Sequence, residues 1–137
     1  MNRDSALTAR RVLSDKRKRV YILVADKKLN YSSGRSRIAY IGTTEKGGSR
    51  IAQSVAWRAS AIFALSGVRE FHARVVTCRP RRKVKMWRKL ERALLLEFRT
   101  EYGEVPRCNI QGKGFTELDE FEYFARSRIR RILEDAS

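Results

Sequence analysis

The sequence has little of several residue types. Its 137 residues include two cysteines, two prolines and one histidine, and its longest apolar runs are as short as "AIFAL" and "ALLL". Two isolated cysteines supply neither a disulfide framework nor a zinc-ligand set. The runs are too short to cross a bilayer, and the first residues carry charge instead of a signal-peptide core. We therefore expect one ordered cytoplasmic domain with no membrane partner.

Acidic residues are also scarce. Fifteen Asp and Glu stand against thirty-one Lys and Arg, which gives a formal net charge of +16. A chain this basic is attracted to polyanions, because each phosphate that it neutralises releases a counterion. Nucleic acid is therefore the expected partner, and the alternatives are a merely basic soluble protein or a membrane-surface binder.

Hydrophobic patterns divide the chain into strands and helices. Residues 1–18 read as a basic arm or short helix. Strands are expected at "RVYILVA", "SRIAYIG" and "REFHARVVTC", and the polar "DKKLNYSSGR" is expected as a long hairpin loop. Apolar residues at helical spacing predict one helix from Ser49 towards Gly67, a second over about 84–102 and a last one from Thr116.

The stretch "IAYIGTTEKGGSRIA" partly matches a nucleotide-binding loop. Gly42, Gly47 and Ser49 fall where the G-x-x-x-x-G-K-[ST] pattern has its glycines and hydroxyl, but Gly48 occupies the position of the lysine. The chain also lacks a repeated strand–helix pattern, which disfavours a nucleotide-binding switch or NTPase.

Two charged residues stand in unusual positions. Glu91 lies within the apolar stripe of the second helix, so its carboxylate needs a cation, a metal or hydrogen-bond donors. Arg50 opens a helix after a glycine turn, where its guanidinium and the helix N-terminus both favour an anion. The alternatives are an ion pair for Glu91 and a solvated first-turn residue for Arg50.

The order of five parts resembles the GIY-YIG nuclease family. These parts are Val20-Tyr21-Ile22, Tyr40-Ile41-Gly42, Arg50, Glu91 in "LERALLLEF" and Asn109 after "VPRC". The resemblance covers about 19–112. It implies an α+β fold in which a three-stranded antiparallel sheet is flanked by helices. Outside the resemblance, we expect 113–137 to form a C-terminal helix packed on the domain.

The resemblance also implies a metal-dependent DNA endonuclease. Tyr21 and Tyr40 would flank the scissile phosphate, and one of them would be the general base. Arg50 would stabilise the developing charge, Glu91 would hold one Mg²⁺ or Mn²⁺, and Asn109 would position the other groups. The substrate would be single- or double-stranded DNA, with RNA possible, for a monomer or a homodimer.

The sequence departs from the family at Arg19-Val20, where members have glycine and isoleucine, and at Thr43 and Ser54, where many have lysine and a tyrosine or histidine. The alternative is therefore a catalytically inactive nucleic-acid-binding protein on the same scaffold. Glu97 is a second carboxylate, but it lies off the stripe of Glu91.

Other residues are expected to bind the nucleic-acid backbone, which positions the substrate without reading its sequence. They are Lys46, Arg58 and the connector residues Arg79, Arg81, Arg82, Lys83 and Lys85. Trp57 and Trp87 are expected in the core, and His72 is expected to be a partnered structural residue on its strand.

Overall fold

The computed structural model describes residues 19–44, 48–65, 67–110 and 112–137, with the backbone alone for 44, 48–52 and 54. The predicted arm 1–18 and Lys46 lie outside the described residues. Three strands, β1 (Arg19–Tyr31), β2 (Gly34–Thr44) and β3 (Phe71–Val76), form one sheet in the order β2-β1-β3. Both pairings are antiparallel, which confirms the predicted α+β fold with a three-stranded antiparallel sheet.

The hairpin between β1 and β2 is tighter than expected. The predicted long loop "DKKLNYSSGR" is wrong, because β1 continues to Tyr31 and β2 begins at Gly34. Leu29 and Tyr31 are buried between exposed polar residues, so this part of the strand shows its own alternation. The Tyr31 hydroxyl donates to the Ile38 carbonyl at 2.6 Å and so joins the two strands.

Two long helices pack beside this sheet. They are α1 (Gly48–Phe63) and α2 (Met86–Tyr102). The predicted apolar stripe of α2, from Trp87 to Phe98, is buried, and α2 packs mainly on β2. The helix ends at Gly103, whose φ of 81° is accessible at little cost only to glycine and whose N–H donates to Arg99 O at 2.8 Å.

The C-terminal segment is not one helix from Thr116, as the pattern predicted. It contains a single turn, α3 (Glu120–Tyr123), and then α4 (Arg126–Ala136), separated by extended backbone at Phe124 and Ala125. Leu118, within the segment predicted as helix, is 70% exposed. Ile129, Leu133 and Ala136 bury one side of α4 against α2 and β2.

Buried carboxylates fix this segment to α2. Glu97 is 2% exposed and receives hydrogen bonds from Arg126 at 3.0 Å and Arg130 at 2.6 Å. Glu120 is fully buried and bonds to Arg92 at 2.6 Å. Both acids therefore have guanidinium partners, as buried charges require.

The described helices include none with both the length and the apolarity needed to cross a membrane. Cys78 and Cys108 are not joined in a disulfide bond.

Candidate active site

The side chains of Tyr21 and Tyr40 pack together near the open end of the β1–β2 hairpin, where β1 begins and β2 ends. Tyr21 pairs directly with Gly42, and Tyr40 lies two residues before Gly42 on the same face of β2. The two ring centroids are 5.8 Å apart and the rings are inclined at 39°. Register alone therefore brings the two tyrosines together as a diagonal cross-strand pair.

Gly42 provides the space for both phenols. A Cβ atom at this position would lie 2.5 Å from Tyr40 Cε1, 2.9 Å from Tyr40 Oη and 3.0 Å from Tyr21 Cζ. A side chain here would have to displace the Tyr40 ring. The tyrosine pair thus requires glycine at the last position of the Tyr40-Ile41-Gly42 motif, because a side chain there would overlap the rings.

Arg58 of α1 covers the Tyr40 ring. Its guanidinium carbon lies 4.0 Å from the ring centroid, within the range of a cation–π interaction. Arg58 was predicted as a backbone contact for nucleic acid, and its contact with Tyr40 places it beside the tyrosine pair. It brings positive charge to the phenols from the helix that also carries Arg50.

Asn109 forms hydrogen bonds with Ile41, the residue of β2 between Tyr40 and Gly42. Its Oδ1 accepts from the Ile41 N–H at 2.9 Å, and its Nδ2 donates to the Ile41 carbonyl at 2.9 Å. One residue earlier, the Cys108 N–H donates to Ala39 O at 2.9 Å. Ala39 has no partner residue in the β1 register, so it forms a bulge whose carbonyl is directed to this loop. The loop thereby replaces a neighbouring strand along the free edge of β2.

Glu91 reaches the same strand from α2. It is half-buried, and its carboxylate accepts a hydrogen bond from the side chain of Thr43, the residue after Gly42. Burial raises the pKa of Glu91 above its ordinary value of 4.5, because desolvation outweighs the Thr43 hydrogen bond and the charges of Arg88 and Arg92. Within the described ranges, no three His, Cys, Asp or Glu side chains gather as a metal-binding group.

The tyrosine pair is closed to solvent to a large extent. Tyr21 is 2% exposed and Tyr40 is 4% exposed. The site thus consists of two covered phenols, with a half-buried carboxylate and a guanidinium at their border.

Two predicted site residues lie partly or wholly outside the part of the chain that the structure describes. Arg50 lies in the first turn of α1, but its side chain is outside the described part of the structure. Lys46 is outside the described residues altogether. The five predicted connector residues, from Arg79 to Lys85, are all exposed between β3 and α2, and Lys83 has a φ of 64°.

Some features of the site were missed or assigned wrongly from the sequence. Trp57 was expected in the core but is 84% exposed, whereas Trp87 is buried as predicted. Helical spacing would have predicted that Trp57 is exposed, because Trp57 lies on the opposite side of α1 from Val55, Ala59 and Ile62. Nothing local in the sequence identified Thr43 as the hydrogen-bond donor to Glu91.

The remaining predicted residues lie apart from the tyrosine pair. His72 is exposed on β3, and its Nε2 accepts from Arg74 Nε at 3.3 Å. Glu97 belongs to the ion pairs that hold α4, on a different side of α2 from Glu91.

Comparisons of the chain with family models, with curated proteins and with solved structures found no match.

Proposed function

We propose that this chain is a metal-dependent endonuclease of the GIY-YIG type that hydrolyses phosphodiester bonds in DNA. The proposal depends on the observation that side chains of β1 and α2 converge on residues 40–43 of β2. Tyr21 packs with Tyr40 over Gly42, and Glu91 bonds to the adjacent Thr43. Two phenols and a carboxylate thus come from three elements to one end of a sheet, on a chain whose charge of +16 attracts DNA.

The phenols would provide the general base. A tyrosine with an ordinary pKa of about 10 is a weak base near neutrality, so it needs a nearby cation that favours the phenolate. Arg58 already lies over the Tyr40 ring. In this mechanism one phenolate takes the proton of the water that attacks phosphorus, and the leaving oxygen departs with the electron pair of the broken P–O bond. Arg50 would stabilise the charge that develops on the phosphoryl oxygens.

Glu91 fits a divalent cation. Mg²⁺ is commonly held by one or two carboxylates together with waters and substrate phosphate, so one protein carboxylate suffices. The desolvated state of Glu91 favours a cation beside it, since a positive charge would offset the cost of its burial. When bound, Mg²⁺ or Mn²⁺ would polarise a phosphoryl oxygen and stabilise the leaving oxygen.

Asn109 would act as a positioning residue. Its two hydrogen bonds hold Ile41, and the flanking residues of Ile41 are Tyr40 and Gly42. The backbone that carries the tyrosine pair is therefore fixed from the loop at 106–109 without any contact of Asn109 with substrate.

Cleavage assays test the proposal directly. Purified protein is incubated with supercoiled plasmid, with single-stranded DNA and with RNA, each in Mg²⁺, Mn²⁺ or chelator. We expect metal-dependent cleavage of DNA. Tyr40→Phe, Arg50→Ala and Glu91→Gln should each lower the rate by about 100-fold or more, as expected for loss of a general base or of electrostatic stabilisation.

Matched variants separate chemistry from folding. Tyr123→Phe removes a hydroxyl from a half-buried tyrosine of α3, and Glu101→Gln neutralises an exposed acid of α2. Both should cut DNA at the wild-type rate. Cleavage that persists unchanged in Glu91→Gln, or that is unaffected by chelator, would contradict the assignment.

The burial of the phenols favours a second candidate function, a nucleic-acid-binding protein without nuclease activity. At 2% and 4% exposure, Tyr21 and Tyr40 present little surface to a phosphate. The exposed basic connector would still bind a nucleic-acid backbone. Salt-sensitive DNA binding without cleavage in either metal would support this function over the nuclease.

A further inference from the structure

Two large, exposed apolar side chains directly neighbour residues of the candidate active site in sequence. Among the described residues, three large hydrophobic side chains are highly exposed: Trp57 at 84%, Ile110 at 81% and Leu118 at 70%. Trp57 precedes Arg58, which covers the Tyr40 ring, and Ile110 follows Asn109, which holds Ile41. Two of the three therefore lie one residue from side chains that frame the tyrosine pair.

The surface around Trp57 is unusual for this chain. From Gln53 onward, the exposed side chains that the structure describes on α1 and in the turn after it are uncharged, although 34% of the whole sequence is charged. Apart from Trp57 they are small or polar: Gln53, Ala56, Ser60, Ala61 and Ala64. Small neighbours leave the indole open, so this part of the helix presents one flat aromatic group among small or uncharged exposed side chains, next to the partly exposed Arg58.

The loop that contains Cys108 and the part of α1 that contains Arg58 lie near each other. Burial raises the pKa of the Cys108 thiol, and the charge of Arg58 acts in the opposite direction, which requires Arg58 and Cys108 to be close. Arg58 also contacts Tyr40, while Cys108 bonds to the adjacent Ala39. Arg58 and Cys108, which lie within two residues of Trp57 and Ile110, thus border the same segment of β2.

We propose that Trp57 is a stacking platform for an unpaired nucleobase next to the scissile phosphate, with Ile110 as a second apolar contact. The substrate would then be single-stranded nucleic acid, or the single-stranded part of a branched molecule. This inference rests on the proposed function, since it assigns the substrate form of that same site. Stacking of a base on an aromatic side chain contributes about 1–3 kcal/mol, whereas the bases of a duplex are already covered by their neighbours.

The charge of the chain favours this occupant over a second copy. A dimer formed through α1 would bring together two chains of +16 each, which repel one another. A nucleic-acid strand has the opposite charge, and its bases supply the flat apolar faces that match an exposed indole.

The test measures binding in chelator, so that it is independent of cleavage. A labelled oligothymidylate of about 12 nucleotides, within the usual site size for single strands, is compared with a duplex of the same length. Binding is followed by fluorescence anisotropy for the wild type and for Trp57→Ala, Trp57→Phe and Leu118→Ala. The last is a matched control, because Leu118 is also exposed but lies before α3 and not next to Arg58 or Asn109 in sequence.

We expect Trp57→Ala to weaken single-strand binding by about 5- to 150-fold, which is 1–3 kcal/mol of lost stacking. Duplex binding should change less than about twofold, since it depends on phosphate contacts. Trp57→Phe should recover most of the affinity, and Leu118→Ala should behave as wild type. Oligothymidylate should also quench the tryptophan fluorescence of the wild type but not of Trp57→Phe, whose remaining Trp87 is buried.

Equal single-strand affinity for wild type and Trp57→Ala would overturn the inference, as would an equal loss for single strand and duplex. A change of oligomeric state in Trp57→Ala, with unchanged affinity, would assign the surface to a second copy instead. Failure of the nuclease proposal is a separate result. It would appear as absence of cleavage in Mg²⁺ and Mn²⁺, which leaves the binding comparison unaffected.

Discussion

The side-chain amide of Asn109 pairs with both backbone polar groups of a single residue, Ile41. The two hydrogen bonds are 2.9 Å each, and Asn109 is 4% exposed. Because β2 is an edge strand of the described sheet, these groups of Ile41 have no neighbouring strand on that side among the described residues. An amide is the side chain that suits this position, since it can accept and donate at once.

Removing this pairing should destabilise the protein. Asn109→Ala leaves a buried N–H and a buried carbonyl of Ile41 unsatisfied, and each such group costs about 1–3 kcal/mol. Asn109→Asp keeps the acceptor but directs a carboxylate oxygen at the Ile41 carbonyl. Chemical denaturation should show a lower free energy of unfolding for both, and hydrogen exchange should show a less protected Ile41 amide. Asn30→Ala, on the exposed side of β1, is the control, and a comparable loss there would contradict the assignment.

Gly42 should not tolerate even alanine. Its Cβ would lie 2.5 Å from Tyr40 Cε1, so the ring must move, and overpacking of this kind costs about 1–3 kcal/mol. In Gly42→Ala/Tyr40→Ala the clash with Tyr40 is removed and only the 3.0 Å contact with Tyr21 Cζ remains, so the two substitutions should be strongly non-additive in unfolding free energy. Gly114→Ala is the control, because nothing lies within 4 Å of a Cβ there. Additive effects would mean that the Tyr40 ring does not depend on the space at Gly42.

Much of the fold follows from local patterns in the sequence. The three strands and α2 were predictable because their apolar residues recur at the period of the element that they form. Gly103 marked the end of α2 correctly, since its left-handed conformation favours glycine. The residues around Ser32 were harder, because polar side chains on the exposed face of a strand resemble those of a loop.

The other differences come from tertiary contacts. Residue type suggested that Trp57 is buried and helical position suggested that it is exposed, and the position was the better guide. The break at Phe124 and Ala125 allows Arg126 and Arg130 to reach Glu97 on another helix, which local periodicity does not reveal. Large tertiary terms of this kind override weak local preferences.

The candidate site was predictable in its residues but not in its contacts. The motif order named Tyr21, Tyr40, Glu91 and Asn109, and the fold places them around one end of β2. Their partners depend on strand register and on the bulge at Ala39, which short motifs do not specify. The contact of Arg58 with Tyr40 likewise depends on how α1 packs beside the sheet.

The Arg92–Glu120 pair should make stability depend on pH. Burial alone would raise the pKa of Glu120, but the hydrogen bonds from Arg92 and the Leu118 N–H outweigh it and lower the pKa below 4.5. The ionised carboxylate thus stabilises the fold above the ordinary pKa, and this contribution is lost as pH falls through the lowered value.

Glu120→Gln should therefore reduce the free energy of unfolding by about 1.5–3 kcal/mol near neutral pH, as for a hydrogen bond to a charged group. The gap to wild type should close in acid, where the wild-type carboxyl is neutral too. Denaturant unfolding of both proteins across this range measures it, with the exposed Glu122→Gln as control. A gap that persists in strong acid would assign the effect to packing.

Glu91 should make the free energy of unfolding depend on pH in the opposite direction. Its pKa is raised by burial, so the folded state binds a proton more readily than the unfolded chain between 4.5 and the raised value. Stability is therefore lost as pH rises through this window, and the cost persists at neutral pH. Glutamine keeps the size of the side chain and an acceptor for the Thr43 hydroxyl, but it carries no charge.

In chelator near neutral pH, Glu91→Gln should thus unfold at a higher denaturant concentration than wild type. Single stabilising substitutions commonly add about 0.5–2 kcal/mol to the free energy of unfolding, and the gain here should lie at the lower end of that range. It should disappear in acid. Glu122→Gln, at an exposed acid of α3, serves as the control. A Glu91→Gln protein that is less stable than wild type would identify Glu91 as an ion-pair partner of Arg88 and Arg92. A more stable protein that no longer cuts DNA would mean that the carboxylate is kept for function at a cost in stability.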